Sequence, residues 1–312
     1  MTGTSNPALR SYLFAPGDHA RRREKAFECG ADAVILDLED AVAADGKAAA
    51  REAVAAALAT PRACRAYVRV NGPDSPWCWD DLLAVVGPGL DGILVPKAER
   101  AEDLRTLDWV IGQLERERGL AAGGIELMAL VESARGVAAL PALAAATPRL
   151  ARLSYGIADY SLDVGLEPAG DEAELAWLRA TLVQASRAAG HGPPVDAVVV
   201  QVRDEARFTA SAERARRAGL GGKLCLHPGQ VPLANAVFSP GEAELARARA
   251  IVAAFEAAAA AGSAAISVGG EFVDYPVVAR ARALLAPAGR IRSARRPDPG
   301  RPRTSETPVR HA

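Results

Sequence analysis

The stretch IELMALVE, residues 125–132, runs through aliphatic side chains and halts at the carboxylate of Glu132. Two other stretches are built alike: AYVRVN, residues 66–71, carries Arg69 near its end, and RLSYGIAD, residues 152–159, closes on Asp159. A short apolar run that stops at a charged group reads as a buried parallel strand delivering a functional side chain at its C-terminal end. The pattern predicts a barrel enzyme with a metal site.

Five further runs extend the series: SYLFAP (11–16), AVILDLED (33–40), GILVPK (92–97), PVDAVVV (194–200) and KLCLHP (223–228). Helix-like stretches lie between them, among them DGKAAAREAVAAALA, AEDLRTLDWVIGQLERERG and DEAELAWLRATLVQASRAAG, and each ends near glycine or proline. Strands alternating with helices argue for parallel βα units. Eight such units within roughly 230 residues match a TIM barrel, so the expected class is α/β, a (β/α)8 barrel with a C-terminal helical extension. The catalytic barrel is assigned to residues 8–262. PGEAELARARAIVAAFEAAAAAG is read as a long helix that closes it, and SAAISVGGEFVDYPVVARARALLA, within an extension assigned to 263–288, as a turn or hairpin followed by a helix. Residues 289–312 are rich in arginine and proline and almost free of aliphatic side chains, the composition of a disordered tail.

The chain of 312 residues is 50% hydrophobic and 24% charged, enough for one large core. A formal net charge of −1 removes any general electrostatic case for nucleic acid or an anionic membrane. Cys29, Cys64, Cys78 and Cys225 are widely spaced, without the C-x-x-C pattern of zinc sites. With no signal-peptide pattern and no apolar stretch near about 18 residues, the expected location is the cytoplasm.

LDLEDAV sets Asp37, Glu39 and Asp40 at the end of the second run, with Asp37 and Glu39 on one strand face. Three carboxylates in four residues repel one another unless cations or donors are near; an isolated DLED also reads as a helix cap followed by solvated acids. Arg69 alternates with Tyr67 and Asn71, and a guanidinium inside a barrel needs an anion, from the protein or from a substrate carboxylate or enolate. Glu132 and Asp159, converging from neighbouring strands, make a sparse oxygen site suited to Mg²⁺, whereas zinc would want histidine or cysteine. FAPG (14–17) and the GVAAL segment after Glu132 are read as leaving backbone N–H groups open to an anion. Lys97 and His227 sit at run ends, where a solvated lysine and a structural histidine are the alternatives to ligand contact.

In order along the chain, RSYLFAPGD, GADAVILDLEDAV, YVRVNGPDSPW, GILVPKAE, VESARGV, YGIADYSLDVG, CLHPGQ and GGEFVDYPVVARA resemble the citrate lyase β-subunit-like enzymes of the HpcH/HpaI aldolase superfamily, which include malyl-CoA and citramalyl-CoA lyases. The resemblance implies a homotrimer of TIM barrels, with Glu132 and Asp159 as Mg²⁺ ligands and Arg69 on the oxygens of the keto acid and enolate. Asp37, Glu39 and Asp40 then order metal-bound water. Asp274 matches an aspartate that reaches a neighbouring subunit's site as acid/base group, and Phe14, Pro16, Lys25 and Lys47 fall where the family contacts CoA. The implied activity joins or cleaves acetyl-CoA, or a related acyl-CoA, and a small 2-keto acid. Alternatives are a citrate lyase β subunit acting on an acyl-carrier-protein thioester and a malyl-CoA thioesterase.

Overall fold

The computed structural model describes residues 9–263 and 265–286, so the assigned tail at 289–312 lies outside the described residues. Eight parallel strands, β1 (Ser11–Pro16), β2 (Ala33–Asp37), β3 (Arg65–Arg69), β4 (Gly92–Val95), β5 (Glu126–Val131), β6 (Leu150–Tyr155), β7 (Val195–Asp196) and β8 (Gly222–Cys225), pair in chain order, and β8 returns to β1. The expected TIM barrel is present. Its strands are apolar on both faces for a simple reason. Tyr12, Ile35, Tyr67, Leu94, Met128 and Leu224 fill the barrel interior, while Leu13, Val34, Val68, Ile93 and Leu127 pack outward under the helices.

The runs were legible, but several strands stop earlier than their sequences suggested. β2 ends at Asp37, so Glu39 is a loop residue and does not share a strand face with it. β3 ends at Arg69, leaving Asn71 beyond it, where the Asn71 amide donates to Leu38 O and Asp81. β7 has two residues in place of the expected seven. After Asp196 the Val199 carbonyl accepts from the Gln230 side chain at 3.2 Å, so a side chain replaces the strand ladder there. β-branched composition favours a pleated surface without specifying the partner.

The long helix Glu242–Ala260 does not close the barrel. That place belongs to Gln230–Val237, which packs on β1 and β8. The long helix instead packs against helix Tyr275–Leu285 and a hairpin of β9 (Ile266–Val268) and β10 (Glu271–Val273). The hairpin turns through Gly269 and Gly270, both at positive φ, which glycine adopts without penalty. Ile251, Phe255, Val273, Val278 and Ala281 form a small core of their own, apart from the barrel core.

One buried ionic knot ties the strands on the far side. Asp196 accepts from Arg179 Nε at 2.9 Å and Tyr155 Oη at 2.8 Å, and also from Lys223 Nζ. Burial opposes the charge of Asp196, but Lys223 and Arg179 outweigh it and hold the carboxyl below its ordinary value. Its stabilising effect is therefore present above the unfolded pKa and is lost only as pH falls below 3.8. Asp196→Ala leaves the buried Lys223 without a carboxylate and Arg179 with Glu172 alone, and is expected to destabilise the fold by about 3–5 kcal/mol at pH 7. Urea denaturation checks this, and a loss below about 1 kcal/mol contradicts it.

Candidate active site

Asp37 and Arg69 stand opposite each other as the last register pair of β2 and β3. The guanidinium donates through Nε to Asp37 Oδ1 at 2.7 Å and through Nη2 to Oδ2 at 2.5 Å, a bidentate clasp. Its Nη1 lies 2.9 Å from Glu39 Oε2 and 3.7 Å from Asp40 Oδ2, and its face covers the Phe14 ring at 5.1 Å. Burial opposes the charge, but the hydrogen bonds to Asp37 and the carboxylates around it raise the Arg69 pKa, so the cation persists at all working pH. Asp37 also accepts from the Glu39 N–H at 2.9 Å, which fixes the start of the acidic loop.

Lys97, just past β4, holds the other side of that loop. Its ammonium donates to Glu39 Oε1 and lies 3.5 Å from Asp40 Oδ1. Its backbone N–H donates to Glu132 Oε2 at 2.8 Å. Glu132 follows β5 and is buried, with Gly156 against its other oxygen: a Cβ at Gly156 would lie 2.2 Å from Glu132 Oε1. Asp159 is not at a strand end. β6 stops at Tyr155, and Asp159 occupies the first turn of helix Ile157–Val164. No side chain caps that helix, so its first turn offers N–H groups without an intrahelical partner.

Asp37, Asp40, Arg69, Glu132, Ile157 and Asp159 line one cavity of about 860 Å³ together with Phe14, Pro16, Arg22 and Lys25. Val198, Val200, Leu226 and His227 complete its wall. Glu39 sits behind, on a neighbouring cavity of about 660 Å³ that shares Asp40.

Two sequence expectations change here. Lys47 does not line the cavity of Phe14, Pro16 and Lys25; it is buried, and its ammonium donates to the carbonyls of Leu38 and Glu39 at 2.7 Å each. The N–H groups of FAPG and of the helix after Glu132 are engaged: Gly17 N donates to Asp37 O at 2.8 Å, Gly136 N to its capping Ser133 at 3.1 Å, and Ala134 N to Asp163 at 2.7 Å. Asp274 lies in the C-terminal element as the cap of helix Tyr275–Leu285, away from this cavity's lining. What the sequence did not disclose was the pairing of Lys97 with Glu39 and Glu132 and the helix start at Gly156. A lysine after a strand is usually solvated, and an uncapped helix start has no residue signature.

Among the described residues, no three His, Cys, Asp or Glu side chains converge into a closed metal cage. The donors at Glu132 and Asp159 are hard carboxylate oxygens, which fits Mg²⁺, an ion that takes one or two carboxylates and fills its other positions with water and ligand oxygens.

The profile of the HpcH/HpaI aldolase/citrate lyase family matches residues 10–228. The chain belongs to this family. It is accordingly a carbon–carbon lyase. Family relatives include the citrate lyase subunit beta-like protein of Deinococcus radiodurans, 39% identical over 89% of this chain and 96% of that protein. The citrate lyase subunit beta of Escherichia coli K12 is 36% identical over 89% and 93%. The L-malyl-CoA/beta-methylmalyl-CoA lyase of Cereibacter sphaeroides is 37% identical over 90% and 95%. A crystal structure of protein CitE from Mycobacterium tuberculosis, in complex with magnesium, acetoacetate and coenzyme A, superposes with a TM-score of 0.74 at 30% identity, covering 92% of this chain and all of that one.

Burial pushes the Glu132 carboxyl up to about 7; Asp159 and Glu39 add to this, while the Lys97 N–H and Arg69 oppose it. Its folded pKa thus exceeds its unfolded one. The folded state binds the extra proton between the two values, and stability declines as pH rises from 4.5 to about 7. In divalent-free buffer this single group is expected to cost roughly 3 kcal/mol at pH 8. Glu132→Gln should therefore be more stable than wild type at pH 8 and similar to it at pH 4.5. Urea titrations at both pH values test this; a variant equal to or weaker than wild type at pH 8 contradicts it.

Proposed function

We propose that this chain is a Mg²⁺-dependent acyl-CoA lyase that cleaves, or forms in reverse, the bond between acetyl-CoA or a related acyl-CoA and a small 2-keto acid. One observation carries the reading: the carboxylates Glu132 and Asp159, the cation Arg69 and the residues Phe14, Pro16, Arg22 and Lys25 line a single cavity. A cavity lined by carboxylates, three cations and apolar side chains suits a compact acid joined to a thioester arm.

Glu132 and Asp159 would hold Mg²⁺, which when bound polarises the oxygen shared between the hydroxy and keto forms. The remaining roles fall to the protein. Arg69 has five N–H donors, of which three are directed at Asp37 and Glu39. The other two, one of them on the Nη1 that also lies 3.7 Å from Asp40, would donate to substrate oxygen, and the guanidinium charge would stabilise the enolate left when the carbon–carbon bond breaks. Asp37, Glu39 and Asp40 keep Arg69 in place and order water beside Glu132. The first turn of helix Ile157–Val164 suits the keto-acid carboxylate. Phe14, Pro16 and Lys25 contact the CoA arm, for which Lys25 supplies positive charge. Lys47 acts at one remove, by shaping the acidic loop.

Enolate carbon must gain a proton in cleavage and lose one in condensation. We assign this to Asp274 of a neighbouring subunit, within a homotrimer. Support comes from its place on an extension with a separate small core and from its cap to Val277 N, which is long at 3.4 Å and leaves the carboxylate available. A second reading has a specific basis: similarity to citrate lyase β subunits matches that to malyl-CoA lyases, so a carrier-protein thioester is the competing acyl donor.

The deciding experiment incubates purified protein with Mg²⁺, acetyl-CoA and equimolar glyoxylate, pyruvate and oxaloacetate, with an EDTA control. An EDTA-sensitive CoA adduct, detected by mass spectrometry, is the expected result and names the acid. Release of free CoA with malate or citramalate favours thioester hydrolysis, and no CoA product favours the carrier-protein donor. Asp274→Asn should lower turnover at least about 100-fold with Mg²⁺ binding intact. Mixing it with Arg69→Ala subunits should restore part of the activity; mixtures as inactive as either parent would count against a shared site.

A further inference from the structure

Lys97 has two features that a solvated loop lysine lacks. Its backbone lies in the left-handed region at φ 48°, one of two non-glycine residues among those described to do so. Such a conformation is unfavourable for any residue with a Cβ and free for glycine. A lysine retained there implies a task for its side chain. Its second feature is position. The ammonium, about half exposed, rests on Glu39 and Asp40, where the two cavities meet, while its N–H grips Glu132.

The main-chain bond takes Glu132 Oε2, and Gly156 faces Oε1. Glu132 is thus held on both sides, Oε2 by the Lys97 N–H and Oε1 packed against Gly156. The ammonium does something separate. The side chains of Asp37, Glu39 and Asp40 ion-pair with Arg69 and Lys97, while the Lys47 ammonium lies on the backbone carbonyls of the same loop and Arg22 and Lys25 line the cavity further along. Without Lys97, the Glu39 carboxylate would keep an ion pair only with Arg69 among the described residues, and an incoming keto-acid anion would meet a less compensated acidic loop.

We propose that Lys97 is a positioning residue of the lyase site, its N–H fixing the orientation of the Glu132 carboxylate and its ammonium offsetting the acidic loop so that an anionic keto acid can enter. The proposal rests on the lyase reading above. It makes a signed prediction that a purely structural role does not: removing the ammonium while keeping the N–H should help the cation and hinder the anion.

Lys97→Gly is the direct test, since glycine keeps the N–H and relieves the left-handed backbone. Expected results are an unchanged or higher melting temperature and roughly three- to tenfold tighter Mg²⁺ binding by calorimetry of the resting protein. The KM for the keto acid should rise at least about tenfold, while the KM for the acyl-CoA is unmoved. Lys97→Arg should restore both quantities toward wild type, and Lys97→Met repeats the charge removal if the glycine variant folds poorly. Wild-type Mg²⁺ affinity and keto-acid KM in Lys97→Gly would overturn the proposal, as would weaker Mg²⁺ binding together with a raised KM for both substrates. Absence of lyase activity in the wild-type protein would instead count against the lyase reading, and the Mg²⁺ titration would still decide the charge role of Lys97.

Discussion

The clasp between Asp37 and Arg69 organises the catalytic end of this barrel. Both residues are the last of their strands, they are register partners, and their bidentate geometry uses both carboxylate oxygens. Placing a charged pair at that depth is costly unless each partner is fully hydrogen-bonded. Here Asp37 also accepts from the Glu39 N–H, and Arg69 also reaches Glu39 and stacks on Phe14. The acidic loop, the arginine and the first strand are consequently one unit, and displacing any of them leaves a charge without its partner.

Around that unit the site concentrates charge. Carboxylates arrive from the ends of β2 and β5, from the loop after β2 and from the helix after β6, and the acidic loop is ion-paired with Arg69 and Lys97. Glu132 is buried, and that burial, with smaller contributions from Asp159 and Glu39, raises its pKa. The price is stability, as expected where a carboxylate is kept for a cation or a substrate and not for the fold. On β7 the opposite arrangement holds: Asp196 is enclosed by Lys223, Arg179 and Tyr155, the last of which also lines the cavity, and its charge is met by two cations.

The C-terminal element follows another logic. It has a small apolar core of its own, a diglycine hairpin and an aspartate capping its last described helix. Phe272 and Tyr275, flanking Asp274, are both largely exposed. Within one chain none of these residues lines the catalytic cavity. An acid/base role for Asp274 therefore requires a second subunit, which is why the subunit-mixing experiment bears on mechanism as much as on assembly.

Periodicity and composition alone determined the barrel. Short apolar runs bounded by glycine and proline have few alternatives to buried parallel strands, and their charged ends pointed to one rim. Arg69 and Glu132 do stand at or just past strand ends, and Phe14, Pro16 and Lys25, picked out through the likeness of their segment to a family, line the same cavity. Tertiary structure decided what depends on a partner distant in sequence. It ended β7 at two residues, turned Lys47 from a surface contact into a buried brace, and moved Asp159 from a strand onto a helix. It alone gave Lys97 its partners, Glu39 and Glu132, which are 58 and 35 residues away along the chain. Local sequence carries strand and helix preference; the pairing of charges across a barrel rim exists only once the chain has closed.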